Sequence, residues 1–381
     1  MNTATHASRR RWTPIAWSNY LTGLRETYQL FGIGHVLERC ADRSWIVEPG
    51  STSLAPPSWH LPGQLERITG TAGPADAPLR NMPGGFEVVH APTRGFLIKG
   101  AWLIDGSLYK RVGRRVLRFD LHSRDWLTRA SLYMPRIRVD EEFRHAAIYT
   151  TFLGSEYFGL WLTENCPVYP LAEQAGVPVA PTMAVAPAMA GFPHTAQYEQ
   201  WLGMAPRRTN AAYLHEVVLF DDNWDNNAGK RARLETLRNR LLSHVQSAPH
   251  PGVFILRRST GRLRVLNNEL DLAEQLRRRR GFRVVDITRD DVSTIVAACA
   301  GARVVIGVEG SQLTHGLMVL QPGGALVSLQ APYRFCSTFK RTTDMLGLHY
   351  GFVVGQPTPE GYSIDPTEME RTLDLLPRCP Y

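Results

Sequence analysis

Short apolar runs and amphipathic runs alternate through the second half of the chain, and that alternation limits the fold more than any other feature. "EVVLF", "GVFILRR", "FRVVDIT", "ARVVIGV" and "ALVSL" are short and rich in β-branched residues. Between them lie segments with helical spacing. "KRARLETLRNRLLSHV" places Leu234, Leu237, Leu241, Leu242 and Val245 on one stripe, and "NNELDLAEQLRRRR" does the same with Leu270, Ala273 and Leu276 before Gly281. "DVSTIVAACA" and "QLTHGLMVL" complete the set, with Thr288 placed to cap the former and Asp291 three residues on. Strand and helix in strict alternation, joined by short connections, predict an α/β fold with a parallel, doubly wound sheet. Strands apolar along their whole length fit a sheet covered on both faces.

Two polar interruptions of this pattern carry the candidate chemistry. The first is Glu309-Gly310-Ser311-Gln312, between a strand ending at Val308 and a helix holding Thr314 and His315. Ligands of such sheets bind beyond the carboxyl ends of the strands. Gly310 lets backbone approach a ligand closely, and Ser311 is placed to cap the helix and leave its first amides facing outward. The second is "FILRRSTGRLRVLNNELDL": a strand ends at Arg257-Arg258, a loop carries Arg262 and Arg264, and Asn267, Asn268 and Glu269 open a helix. Several guanidinium groups at one sheet edge suit phosphate. A carboxylate would repel phosphate, so Glu269 is expected on a hydroxyl of the nucleoside. "FDDNWDN" offers Asp221 and Asp222 as further carboxylates, expected after the first strand of this sheet.

Upstream, residues 1–85 read as an irregular extension with Pro/Gly-rich loops, and 86–210 as an N-terminal domain. Its beginning is strand-like, with Asp105-Gly106 as a hairpin turn. "AAIYTTFL" is an expected strand, and "YFGLWLTENCPVYPLAEQAG" a helical segment interrupted by Pro167 and Pro170 and closed by Gly176 as C-cap. Residues 211–360 form the expected doubly wound C-terminal domain, and 361–381 a tail or helix.

The formal net charge of +8 comes almost wholly from arginine, lysine occurring only at Lys99, Lys110, Lys230 and Lys340. An arginine excess suits nucleic acid, anionic lipid or phosphorylated small molecules. Nucleic acid is not expected, because the aromatic residues do not interleave with the arginines as a stacking platform requires. "LRRRRG" ends a helix, where cations complement the dipole and can touch an inner membrane surface. Five scattered cysteines show no metal-ligand or disulfide spacing, and no metal or other cofactor is expected. Reduced thiols, no spanning run and an N-terminal "RRR" segment too polar for export indicate a cytoplasmic, at most peripheral-membrane, protein.

The C-terminal half, over about residues 145–355, resembles glycosyltransferase family 61, which includes plant cell-wall, animal O-glycan and bacterial polysaccharide enzymes. The likeness rests on Arg257, Arg264, Asn268-Glu269, "GFRVV", Glu309 through His315 in place of His-Gly-Ala-Gly-Leu-Thr-Asn, and Pro322-Gly323. Upstream, Trp161-Leu162, Glu164 and Pro167 are similar to the family's His-Trp-Leu, acidic, Pro segment. Leu160 stands where that His is expected, Glu309 replaces the His of the glycine motif, and His315 replaces its Asn. The resemblance implies a GT-B architecture, two Rossmann-like domains facing a cleft, with residues 86–210 on the acceptor side and 211–360 binding the nucleotide-sugar. It also implies inverting transfer, without a bound metal, from a nucleotide-sugar to a glycan hydroxyl in surface or capsular polysaccharide synthesis. Arg257, Arg258, Arg264, Asn268, Glu269, Gly310, Ser311, Gln312 and Thr314 would bind the donor. Glu309 or His315 would act as base, and Glu156, Trp161 and Glu164 would serve the acceptor. The missing histidines also admit a non-catalytic sugar-nucleotide-binding protein, and the shared shape admits a nucleotide-sugar epimerase.

Overall fold

The computed structural model describes residues 36–104, 106–112, 115–119, 139, 141–182, 193–222, 226–258 and 264–377. The chain is mixed α/β and divides into two compact units.

The first unit comprises residues 1–48, 92–193 and 204–223. Its eight strands are β1 (Arg43–Glu48), β2 (Thr93–Ile104), β3 (Ser107–Val112), β4 (Arg115–Phe119), β5 (Glu141–Ile148), β6 (Val177–Pro181), β7 (Arg207–Thr209) and β8 (Ala211–Asp221). They run in the order β4-β3-β2-β8-β5-β6-β7. β8, β5, β6 and β7 are mutually parallel, while β2 lies antiparallel to β8. One edge of β2 is shared: β1 pairs with its first half and β3 with its second, and Gly100 between them has φ +68°. Ile104 pairs with Ser107 across a two-residue loop, with Gly106 at φ +83°, as the hairpin reading required; Asp105 itself lies outside the described residues. The core gathers Ile98, Leu103, Ile148, Val179, Leu214, Val217 and Leu219. Helix α1 (Tyr169–Ala175) packs on β5, β6 and β8.

Two expectations change here. β1 is a strand within the segment read as irregular, and Trp45 packs so closely over Gly95 that a Cβ there would lie 2.4 Å from the ring. The strand at 216–220 is part of β8 and pairs in this first sheet, because its alternate residues Val217 and Leu219, with Leu214 before them, join this core. Gly176 closes α1 as the expected C-cap, its amide donating to the Ala172 carbonyl at 3.0 Å, and a Cβ there would press to 2.9 Å on the backbone of His145.

The second unit comprises residues 49–91, 194–203 and 224–381. Its five-stranded sheet is parallel throughout: β9 (His250–Leu256), β10 (Arg283–Asp286), β11 (Ala302–Val308), β12 (Ala325–Gln330) and β13 (His349–Val354), in the order β10-β9-β11-β12-β13. Beyond residue 194 its helices are α2 (Thr195–Leu202), α3 (Ala228–Leu242), α4 (Glu269–Arg280), α5 (Val292–Ala300), α6 (Leu313–Leu317), α7 (Thr338–Met345) and α8 (Pro366–Leu375). Phe254, Ile306 and Val327 pack with Leu272 and Leu276 of α4 and Leu373 of α8 on one face. Val305 points to the other, where a Cβ on Gly316 of α6 would lie 2.6 Å from it. Helices thus cover both faces, and the burial of whole strands follows from that. Leu270 is half exposed and Leu272 takes its expected place in the core. Asp291, not Thr288, caps α5, accepting from the Thr294 amide at 2.8 Å; Thr288 turns instead to Asp286. Residues 49–91 fold onto this unit through contacts such as Trp59 N–H to the Tyr350 carbonyl at 2.8 Å.

Among the described residues no helix is long and apolar enough to cross a membrane. Cys40, Cys166, Cys299 and Cys336 are free thiols; Cys379 lies outside the described residues. Ile306 is fully buried at the centre of the second sheet, whereas Ile46 on β1 is 65% exposed. Ile306→Ala should cost about 2–5 kcal/mol and Ile46→Ala well under 1 kcal/mol, measured by denaturant unfolding.

Candidate active site

The strand order reverses between β9 and β11, and the two polar interruptions of the sequence stand at the carboxyl ends of these two neighbouring strands. A doubly wound sheet opens its crevice at such a point, because connections on either side of it leave to opposite faces. The two segments meet there. Arg257 Nη1 donates to the Glu309 carbonyl at 3.0 Å, and Arg264 Nη1 donates to the same oxygen at 3.2 Å. Arg264 also forms an ion pair with the Glu309 carboxylate, and Arg334 Nη1 stands 3.4 Å from Glu309 Oε2. Arg262 lies outside the described residues.

The carboxylate of Glu269, at the start of α4, aligns this end of β9. Its Oε1 accepts from the Arg257 amide at 2.6 Å and its Oε2 from the Arg258 amide at 2.9 Å. Arg258 takes up φ +57° there, a left-handed conformation unusual for a residue with a long side chain. Arg257 reaches towards β11, while Arg258 Nε donates to Asp286 at the end of β10, 3.0 Å away. Burial pushes the Glu269 carboxyl above its usual range, against the lowering effect of the two amides. Burial would also raise Asp286, but hydrogen bonds from Thr288 and Arg258 outweigh it and hold that carboxyl low. Burial, with repulsion from Arg257 and Arg334, brings the Arg264 guanidinium down to about 10.

Beyond the ends of β9 and β10 opens a cavity of about 660 Å³, lined by Arg258, Glu269, Leu270, Asp271, Asp286 and Thr288 among others. Its wall is mixed: carboxylates and guanidiniums beside the exposed side chains of Leu270 and Val265. The lining can therefore take a ligand with hydroxyls on one side and an apolar face on the other.

The glycine turn differs in detail from its sequence reading. Gly310 has φ +156°, and a Cβ would lie 2.5 Å from Gln312 Oε1 and 3.4 Å from Arg257 Nη1, so glycine leaves room for that arginine. Ser311 provides no side-chain cap; its carbonyl accepts the Thr314 amide at 3.1 Å, and the Leu313 amide goes to Gly310 at 3.0 Å. These amides close the first turn of a five-residue helix instead of facing outward. Gln312 is buried, its amide bonded back to the Val308 carbonyl. Thr314 is fully buried, and its Oγ1 has no hydrogen-bond partner. Asn268 ties α4 to the C-terminal segment through Ile364, its Nδ2 donating to the carbonyl at 2.8 Å and its Oδ1 accepting from the amide at 3.2 Å.

His315 is buried on α6, 1% exposed. Its Nδ1 lies 2.7 Å from the Tyr198 hydroxyl of α2, and the His194 ring stands edge-on at 5.2 Å. In the first unit, Glu156 is exposed at the end of the short helix Phe152–Glu156. Trp161 is buried and stacked on Phe158, and Glu164 is buried in a π-helical turn, Trp161–Asn165. Asp221 and Asp222 end β8 and so belong to the first sheet; Asp222 Oδ1 accepts from Thr93 Oγ1 at 2.5 Å. Among the described residues no group of three His, Cys, Asp or Glu side chains is placed to hold a metal.

The sequence reading missed Arg334, Asp286 and Tyr198. A residue after each successive strand end of the parallel sheet was the available signal for Asp286 and Arg334; Tyr198 lies on a helix distant in sequence, and no local pattern announces it.

Burial, with a smaller contribution from His194, brings the His315 imidazole down to about 3. The folded chain therefore refuses a proton that the unfolded chain accepts below its pKa of about 6.5. Stability should fall by up to about 1.4 kcal/mol per pH unit as pH drops from about 6.5 towards that folded value. Urea unfolding between pH 7 and 4 tests this, and a His315→Gln variant should show the flatter profile.

The family described as Glycosyltransferase 61 matches residues 126–327, just over half of the 381-residue chain. No curated protein matches the chain. Among solved structures, the metal-soaked Flv1 flavodiiron core from Synechocystis sp. PCC6803 aligns with 50% of this chain at 11% identity and a TM-score of 0.22. The chain covers 47% of that protein, and a likeness so slight bears on neither fold nor function. The match over the strand ends, the glycine turn and the upstream segment places the chain: it belongs to glycosyltransferase family 61, a family of sugar-transferring enzymes.

Proposed function

We propose that the chain transfers a sugar from a nucleotide-activated donor to a glycan hydroxyl, with inversion and without a bound metal, in surface or capsular polysaccharide synthesis. The observation that supports this most is the convergence of Arg257 and Arg264 on Glu309 at the ends of two adjacent parallel strands. In this reading the guanidiniums hold the donor diphosphate, and the cavity lined by Glu269 and Asp286 receives the nucleoside. The second unit is the donor half of a GT-B-like pair, and the first, with Glu156, Trp161 and Glu164, is the acceptor half.

The chemistry follows from the charges. The acceptor oxygen forms a bond to the anomeric carbon while the bond from that carbon to the diphosphate oxygen breaks. Negative charge grows on the leaving diphosphate, and fixed guanidiniums stabilise it without reorganising. The acceptor proton passes to Glu309, whose carboxylate is freed as donor phosphate replaces it on Arg264. His315, buried and bonded to Tyr198, supports the turn that carries Glu309. Ser311, Gln312, Thr314 and Asn268 shape the donor side through backbone and packing.

A thermal-shift screen of nucleoside diphosphates and their sugars should find one that raises Tm, and Arg257→Ala should abolish the rise. If no nucleotide stabilises the wild-type chain, the donor-site reading is wrong. Glu309→Gln should bind that donor yet transfer at least ~100-fold more slowly. Full transfer by that variant would remove Glu309 as the base, and donor turnover with no acceptor present would favour an epimerase.

A further inference from the structure

The family match ends at residue 327, and the next loop brings in a charge that the reading above leaves unassigned. β12 stops at Gln330, and residues 331–335 turn back over the carboxyl edge of the sheet. A segment far away in sequence holds that turn. The amides of Thr69 and Gly70 donate to the Pro332 carbonyl at 2.8 and 3.2 Å, and the Phe335 amide donates to the Gly70 carbonyl at 2.8 Å. The Ala72 amide then donates to the Phe335 carbonyl, again at 2.8 Å. The two strands of chain lie so close that a Cβ on Gly70 would stand 2.4 Å from the Tyr333 carbonyl oxygen. Backbone on backbone leaves no flexible atom to give way, so this approach needs glycine.

Held in this way, Arg334 directs Nη1 to the same Glu309 oxygen that Arg264 pairs with. Three guanidiniums, of Arg257, Arg264 and Arg334, therefore gather around one residue, Glu309. Burial and mutual repulsion lower both Arg257 and Arg264, and Arg334 contributes to each. Arg264 Nε is buried without a hydrogen-bond partner. That buried donor of Arg264 is left unused, and an incoming anion can supply its acceptor. Arg257 is only 6% exposed, whereas the Arg334 side chain is 33% exposed. Arg334 is thus the member of the group that meets solvent.

We propose that Arg334 is a third phosphate-binding arm, which residues 69–72 position by clamping the loop that carries it. Its fork takes oxygens of the donor diphosphate as the Glu309 carboxylate gives them up. The proposal rests on the donor-site reading, and it assigns a task to the segment before residue 85.

Calorimetric titration of the full chain with inorganic pyrophosphate and with UDP tests it. Arg334→Ala should weaken both ligands roughly 10- to 100-fold, the loss of one charged hydrogen-bonding group. Arg334→Lys, which keeps the charge but not the fork, should recover part of that affinity. The salt dependence of binding should be shallower in Arg334→Ala, which a merely structural role would not produce. Wild-type chain that binds neither ligand overturns the donor-site reading itself. Wild-type chain that binds, with Arg334→Ala binding equally well, overturns the third arm alone. Should Arg334→Ala fail to fold, Arg334→Lys decides: weaker binding at an unchanged Tm supports the proposal, and unchanged binding overturns it.

Discussion

One carboxylate organises the carboxyl ends of the strands in the second sheet. Glu269 accepts two successive backbone amides, those of Arg257 and Arg258. Two adjacent N–H groups can meet one carboxylate only if the chain bends sharply between them, and the left-handed Arg258 is that bend. The bend sends one guanidinium towards β11 and the next towards β10. A guanidinium cluster and a neighbouring cavity thus arise from the same turn. Without Glu269, two buried amides would lose their acceptor, at a cost of about 1–3 kcal/mol each, and the arginines would lose their divergence.

Glu309 plays the complementary part on β11. Its carbonyl collects Arg257 and Arg264, its carboxylate Arg264 and Arg334, and its amide donates to Leu329 on β12 at 3.0 Å. A histidine at this position, as in the family pattern, could not compensate guanidinium charge in this way. The change from the pattern is therefore accompanied by a local ion-pair network, and it is the network that keeps closely spaced guanidiniums together in the absence of a ligand. A cluster of this kind is costly to bury without a counter-charge.

The second sheet was legible because its strands are buried on both faces and its helices are amphipathic. Each of β9 to β12 overlaps an apolar run read from the sequence, and the two polar segments were expected to meet because they end neighbouring strands. Errors came where tertiary contacts overrode local pattern. Ser311 is a good capping residue, yet α6 is too short and too tightly closed to use it. Thr288 and Asp291 were both able to cap α5, and Asp286 drew Thr288 away. His315 looked like a cleft residue from its place in the first turn, but α2, from a distant part of the sequence, packs over it. Residues 49–91 could not be placed by pattern, because their order comes from backbone bonds to the second unit and not from a periodicity of their own.

The divided edge of β2 has a consequence for solubility. A strand of twelve residues left open along one side would offer a long row of unpaired backbone groups to any extended chain nearby. Here two short neighbours close that side in sequence, one on either side of the kink at Gly100. The same glycine that bends the strand also interrupts its straight run, so that even transient loss of β1 would uncover only half of it. Protection against edge-to-edge association is in this way built into the order of pairing.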